Sequence, residues 1–346
     1  MQKTWVNPQP MDRVSHSPES VFAAGERNHH ISNTSYPIAH AQTWGPYRVA
    51  QGHQEVVSRA FRGLDRIGLY AHIPFCEKRC SFCEYTVVGK EDSQRTAAYM
   101  GKLFHELDLY AELLGARRLC GFDIGGGTPS FVEAHFIARL MQRVKAHFDW
   151  EEGNRVSIET TPRIAAAEPE KLQAYKAAGI DRISMGIQVI QPDLLKILNR
   201  DSNGVEHHFQ AVENIRSAGF DDFNVDLMYG FAGQSLDSWQ ATLEHALRLD
   251  PEAITLYRMR YKLTRISDQA HRVTLPEVRA QASWAKRRLA QAGYAANPGK
   301  NTFSRVPGNC GTSDYIRRRV VDGMPYLGLG LGAQTFTHTT ISYNDG

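Results

Sequence analysis

The chain has 346 residues, with 40 Lys and Arg against 37 Asp and Glu, so its +3 balance does not advertise a nucleic-acid partner. With 42% hydrophobic residues it has the means to bury one barrel-sized core with attachments. No apolar run approaches the roughly 18 residues of a membrane span, and residues 1–20 lack the apolar centre of a signal peptide, which together point to a cytoplasmic protein that does not engage a membrane.

Residues 1–60 are rich in His, Asn, Ser, Gln and Pro and read as an extended arm, closing in a short helix near residues 53–62. From Ile67 the texture changes to β-rich runs at 68–73, 119–124, 155–160, 182–187, 222–228 and 253–259. Helical stretches at 95–114, 131–148, 169–178, 205–218, 235–249 and 275–292 alternate with them. Several of these end near a glycine (Gly115, Gly179, Gly219, Gly293), the usual helix stop. Six β-then-α units predict an α/β fold of parallel strands joined by right-handed crossovers. The core domain is expected over 61–295, with a late strand and the start of a C-terminal region over 296–346.

In such folds chemistry gathers at the C-terminal ends of the strands. The first ends in His72-Ile-Pro-Phe-Cys-Glu-Lys-Arg-Cys-Ser-Phe-Cys83, where Cys76, Cys80 and Cys83 form a metal-ligand set. Iron–sulfur clusters are normally held by four cysteines, so three would leave one iron open to a small molecule. Zinc prefers four ligands, often as two C-x2-C pairs, and no second pair is present. Five cysteines in a chain with no mark of secretion do not suggest disulfides. The second strand ends in Gly125-Gly-Gly-Thr-Pro-Ser130, either a tight turn or a place where backbone approaches a ligand closely. The third ends in Glu159-Thr-Thr-Pro-Arg163, and a buried Glu159 needs a partner, with Arg163 and Arg182 the simple choices. The fourth gives Gln188 and then Asn199-Arg200; Arg200 reads as a helix-end cation or an anion ligand. The fifth carries Asp226, a loop cap or a site residue. Cys120 reads as a small core residue and Cys310 as an inert loop thiol. The glycine-rich run from Tyr326 to Gln334 lacks the following helix of a dinucleotide fingerprint and reads as a late strand against the barrel.

The C-x3-C-x2-C arrangement, with Phe82 before the last cysteine, resembles the signature of radical S-adenosylmethionine enzymes. That resemblance implies a partial (β/α)6 TIM-like barrel and a 4Fe–4S cluster whose open iron chelates S-adenosylmethionine for cleavage to a 5′-deoxyadenosyl radical. It assigns the cluster to Cys76, Cys80 and Cys83, and cofactor contacts to Tyr70, Phe82, Gly126, Gly127, Thr128, Glu159, Gln188, Arg200 and Asp226. It also implies a small-molecule substrate and an electron donor such as flavodoxin or ferredoxin, with the chain acting as a monomer.

Motifs across residues 65–335 resemble the oxygen-independent coproporphyrinogen III oxidase branch, where a second S-adenosylmethionine can bind. Tyr70 to Cys76 and Thr34-Ser-Tyr-Pro37 match segments of that enzyme. Three departures stand out. Glu84-Tyr85 replace the oxidase's further cysteine and look more like the branch's class C methyltransferases. Thr161 stands where many relatives have Asp. The chain stops at Gly346, where relatives commonly continue into a helical domain, so a truncated C-terminal domain is expected. A haem-carrier relative would have an H-N-x-x-Y-W motif; the matching stretch here, Gly308 to Tyr315, has neither the His nor the Trp.

Overall fold

A computed structural model describes residues 53–89, 93–262, 264–296, 301–309 and 311–344. Most of the expected arm, the Thr34–Pro37 segment and Cys310 lie outside them. Six strands pair in parallel and in chain order: β1 (Arg66–Ile73), β2 (Arg118–Gly126), β3 (Val156–Thr160), β4 (Arg182–Gln188), β5 (Asp222–Tyr229) and β6 (Ala253–Arg258). After them come, in turn, helices Ser93–Leu114, Ala134–His147, Pro169–Ala178, His208–Ser217, Leu236–Arg248 and Leu275–Gln291. The six expected β–α units are therefore present. The four helix-stop glycines, 115, 179, 219 and 293, all adopt positive φ, which ends a helix without the steric cost a side chain would bring.

The sequence of each strand alternates, and the alternation places the core. Leu69, Ala71 and Ile73 of β1, Phe122 and Ile124 of β2, Ile158 of β3, Ile183 and Met185 of β4, Val225 and Leu227 of β5, and Ile254 of β6 are all fully buried. They form one cluster with helix residues such as Leu140, Leu172, Ile215, Leu243 and Leu289. The intervening residues belong to the other face. Gly68, Tyr70 and His72, Asp123 and Gly125, Ser157 and Glu159, Ser184 and Gly186, Asn224 and Asp226, Thr255 and Tyr257 make up a more polar face, and five of them, Glu159, Ser184, Gly186, Asp226 and Tyr257, line a cavity. Parallel strands covered on both faces are usually apolar throughout; here only the helix-facing side is.

Five short strands extend the sheet. β7 (Thr302–Ser304) adds antiparallel to β6, while β8 (Tyr326–Leu329) adds parallel to β1. Beyond β8 lie β9 (Gln334–Phe336) and β10 (Ile341–Tyr343), both antiparallel, and a two-residue strand at Asp149–Trp150 pairs with β2. The path runs from β10 to β7, and no ladder among the described residues joins its two ends, as expected of a partial barrel. β8 is the late strand expected from the glycine-rich run. Cys120 is fully buried, with its thiol 3.3 Å from the Ile67 carbonyl oxygen.

Between β7 and β8 the chain forms the helix Asp314–Val321, which packs on β1 and β2. Its fully buried Tyr315 stacks on Tyr70, with ring centroids 5.9 Å apart. The approach is close because β1 and β2 offer Gly68 and Gly121 there; a Cβ on Gly121 would sit 2.6 Å from Tyr315 Cα. Gly121→Ala should therefore displace this helix at a cost of about 1–3 kcal/mol, lowering the urea midpoint. An unchanged midpoint would mean that the helix shifts freely.

Candidate active site

The loop after β1 carries Cys76, Cys80 and Cys83, and backbone bonds to three other segments hold it. Cys76 N–H donates to the Val88 carbonyl (3.3 Å) and Cys83 N–H to that of Cys80 (3.2 Å), while Ser81 N–H reaches the Leu198 carbonyl (2.9 Å). Asn199 Nδ2 donates to the Arg79 carbonyl at 2.9 Å. The glycine turn after β2 is stitched to the same loop: Gly127 N–H donates to Ile73 O and Thr128 N–H to Phe75 O, both at 2.8 Å. The contact admits no side chain at Gly127, where a Cβ would meet Pro74 O at 2.7 Å. Close backbone approach is thus the reason for this glycine. Thr128 Oγ1 then reaches Cys76 Sγ at 3.6 Å.

A cavity of about 240 Å³ opens between these segments. It brings together every residue that the sequence marked for the cluster or cofactor except Tyr70: the three cysteines, Phe82, Gly126, Gly127, Thr128, Glu159, Gln188, Arg200 and Asp226. Tyr70 stands beside the glycine turn, close to Gly125, with its hydroxyl 3.4 Å from His72 Nδ1. The end of the sixth strand, overlooked in the sequence, adds Tyr257, Arg258 and Arg260 to the wall. The rule that singled out the first five strand ends would have found them.

Glu159 pairs with neither expected arginine. Arg163 binds Glu77 of the cysteine loop at 2.7 Å, and Arg182 serves Ser157, the Gly311 carbonyl and Asp222. Glu159 is not the buried carboxylate expected: its side chain is exposed to the cavity, with protein crowding the carboxylate from its other sides. That crowding, then the Asp226 and Asp123 carboxylates, push its pKa up to about 8, opposed by the Gly126 amide and the Arg182 guanidinium. Asp226 is also pushed up by burial, but it is well bonded. Asn224 Nδ2 donates at 2.8 Å and Ser184 Oγ at 3.0 Å, and Thr255 holds Asn224 in turn. It caps no loop. Gln188 adopts φ +68°, unusual for a residue with a side chain, at a register shift in β4. Arg200 is buried and is no helix-end cation: its Nη1 lies 3.2 Å from Cys80 Sγ and its Nη2 donates to the Gly186 carbonyl. Thr161, the departure from Asp, caps the helix Pro162–Ala167 by accepting from Ile164 N–H, a role both residue types fill.

The donor set suits a cluster better than a single ion. Among the described residues no three His, Cys, Asp or Glu are gathered as one metal ion requires, whereas each thiolate on a cluster can bind a different iron. The three cysteines are free thiols on one cavity wall. Burial pushes Cys76 up to about 11 and also raises Cys83, a cost that metal coordination removes by deprotonating the thiol. Arg200 Nε and Gln188 Oε1 are buried without partners, a donor and an acceptor left for a polar ligand.

Residues 70–246 match the family model of the radical SAM superfamily. The chain belongs to this superfamily. Its cofactors are accordingly a 4Fe–4S cluster and S-adenosylmethionine. A haem chaperone, HemW of Haemophilus influenzae, is 34% identical over 200 residues, covering 57% of this chain and 51% of the relative. The oxygen-independent coproporphyrinogen III oxidase of Escherichia coli K12 is 30% identical over 225 residues, covering 65% and 48%. The chain spans about half the length of these curated relatives. The solved coproporphyrinogen III oxidase of Escherichia coli shares the fold, with a TM-score of 0.76 over 90% of this chain and 73% of that one, at 24% identity. No helix among the described residues is long and apolar enough to cross a membrane.

Cys80→Ala should abolish cluster binding and the brown absorption near roughly 400 nm; iron and sulfide retained at the wild-type ratio would remove Cys80 from the ligand set. Glu159 also sets a pH dependence. An unfolded Glu loses its proton near about 4.3, while the folded one holds it to about 8. The folded state therefore binds more protons in that window, and stability falls as pH rises through it. In cofactor-free protein, Glu159→Gln should flatten this fall in thermal midpoint; parallel profiles would place Glu159 in ordinary solvent.

Proposed function

We propose that the chain uses this cavity for radical methyl transfer to an sp2 carbon of a small molecule, with one S-adenosylmethionine as radical source and a second as methyl donor. When bound at the cluster, S-adenosylmethionine supplies a 5′-deoxyadenosyl radical by reductive cleavage. The chain's own residues hold and orient it: Gly126–Thr128 through backbone groups, Gln188 and Arg200 through their unpartnered atoms, and Glu159 and Asp226 as carboxylates. Tyr70 supports the glycine turn from behind. An external one-electron donor such as flavodoxin or ferredoxin completes the system.

The observation that carries the methyl-transfer reading lies just after Cys83. Tyr85 presents 58% of its surface and Tyr257 presents 43%, yet both line the cavity. Two open ring faces beside Glu159 and Asp226 favour a cation, and a second sulfonium has that charge. Glu84, beside Tyr85, is held by Arg260 at 3.4 Å.

A second reading is oxidative decarboxylation of a porphyrinogen propionate. It is supported by Arg79, Arg258 and Arg260 on the cavity wall, since guanidinium forks suit carboxylates, and by the name of the Escherichia coli relative. Non-catalytic haem carriage is the third. The stretch aligned with a carrier's haem motif ends in Tyr315, which is fully buried against Tyr70, and this weighs against it.

The test is anaerobic. Reconstituted protein is given a reductant, S-adenosylmethionine and coproporphyrinogen III, and products are read by mass spectrometry. Methyl transfer predicts 5′-deoxyadenosine with the porphyrinogen unchanged, and S-adenosylhomocysteine once a methyl acceptor is supplied. Loss of two carboxyl groups from the porphyrinogen would establish the oxidase. A stable haem complex without 5′-deoxyadenosine would establish the carrier.

A further inference from the structure

Two of the cluster cysteines have a side-chain donor on sulfur, and the two donors differ. Cys76 has the Thr128 hydroxyl at 3.6 Å. Cys80 alone has a charged donor, the Arg200 guanidinium, with Nη1 at 3.2 Å from Sγ. We propose that Arg200 tunes the cluster: its N–H···S bond to Cys80 raises the cluster's reduction potential, so that a one-electron donor reaches the reduced state more readily. The inference rests on the cluster site and not on which reaction follows.

Arg200 is held in this place by its surroundings. Only 8% of its surface is exposed. Its backbone N–H donates to Leu195 O at 2.8 Å, and its carbonyl accepts from Asn203 N–H at 2.9 Å. The preceding residue, Asn199, takes φ +55° and spends its side-chain amide on Arg79 O, tying the Arg200 turn to the loop that carries Cys80. Nη2 is fixed on the Gly186 carbonyl at the end of β4. The guanidinium therefore bridges the cysteine loop and the β4 end, a planar double donation that a lysine cannot copy.

Withdrawing electron density from a ligand sulfur stabilises the more negative, reduced form of a cluster. Hydrogen bonds to sulfur and exclusion of solvent are among the levers a protein has on its potential. A charged donor in an enclosed setting is the stronger version of that bond. Nε–H, buried and without a partner, remains for the cofactor, so tuning the cluster does not compete with holding S-adenosylmethionine.

The test is a redox titration of the reconstituted cluster without S-adenosylmethionine, followed by electron paramagnetic resonance. Arg200→Gln should shift the midpoint to more negative potential, and Arg200→Lys should shift it the same way by less. Arg163→Gln, which removes a guanidinium that pairs with Glu77 of the same loop and touches no sulfur, should leave it unchanged. A wild-type potential in Arg200→Gln, or an equal shift in Arg163→Gln, would overturn the proposal. Should Arg200→Gln fail to load iron, Arg200→Lys decides, and a wild-type potential there also overturns it. Lost S-adenosylmethionine cleavage at an unchanged potential would sink the tuning role and leave the cofactor site standing.

Discussion

One constraint organises the molecule: each barrel strand must turn its apolar residues outward to the helices, which leaves the alternate residues to the lumen. Ile158 is fully buried on the helix side, so its neighbour Glu159 faces in; Val225 and Asp226 repeat the arrangement two strands away. Burying such an aliphatic side chain is worth about 1.5–3 kcal/mol. A one-residue slip in any strand would forfeit several of these at once and send the carboxylates into the helix layer. The register that stabilises the core is thus the same register that aims the site residues. The cavity needs no separate positioning device along the strands.

A polar lumen carries its own cost, and the two cavity carboxylates meet it differently. Asp226 sits in a closed set of bonds with Ser184, Asn224 and Thr255, all on neighbouring strands. Its acceptors are used, so its charge is supported by the scaffold. Glu159 has only the Gly126 amide and the charge of Arg182 to oppose two nearby carboxylates. Its ionised form is therefore the more costly, and the group that would relieve it is a cation arriving in the cavity. The protein has left poorly satisfied the carboxylate next to the glycine turn and has bonded the one deeper along the network. Binding energy from a cationic ligand is realised where the scaffold withholds it.

Much of this was legible in the chain. The six strands and their helices follow from periodicity and glycine stops, and the cysteine spacing, the strand-end rule and the family resemblance marked residues that the fold brings to one cavity. What escaped depended on contacts between distant segments. Arg163 and Arg182 were reasonable partners for Glu159 by proximity in sequence, yet Glu77 and Asp222 hold them. Thr161 looked like a departure until its role as a helix cap was visible. Tyr70, adjacent in sequence to the cysteine loop, belongs instead to a stack with Tyr315 (residues separated by most of the barrel). The helix Asp314–Val321 is short, arginine-rich and polar on average, so its amphipathic pattern spans only two turns. Its place is specified by Gly68 and Gly121, which are unremarkable in sequence and meaningful only once the helix lies against them.

That helix packs against the strands that carry the cysteine loop and the glycine turn. The chain leaves β7 at the β6 edge and returns as β8 at the β1 edge, crossing between the two ends of the parallel run with the helix in between. Ser313 donates to Asp123 at 2.6 Å, Tyr315 packs under Tyr70, and Arg319 lies 4.6 Å from the Tyr326 ring centroid. These contacts place aromatic rings and a carboxylate, bonded through one oxygen only, behind Gly125. A radical generated above them would be reactive toward whatever reached it, so an enclosed chamber is a chemical requirement. The strand ends and their loops supply its walls, whereas residues 313–326 pack behind them, Tyr315 on Tyr70 and Ser313 on Asp123. The C-terminal segment therefore braces the strands that carry the site without lining the cavity itself.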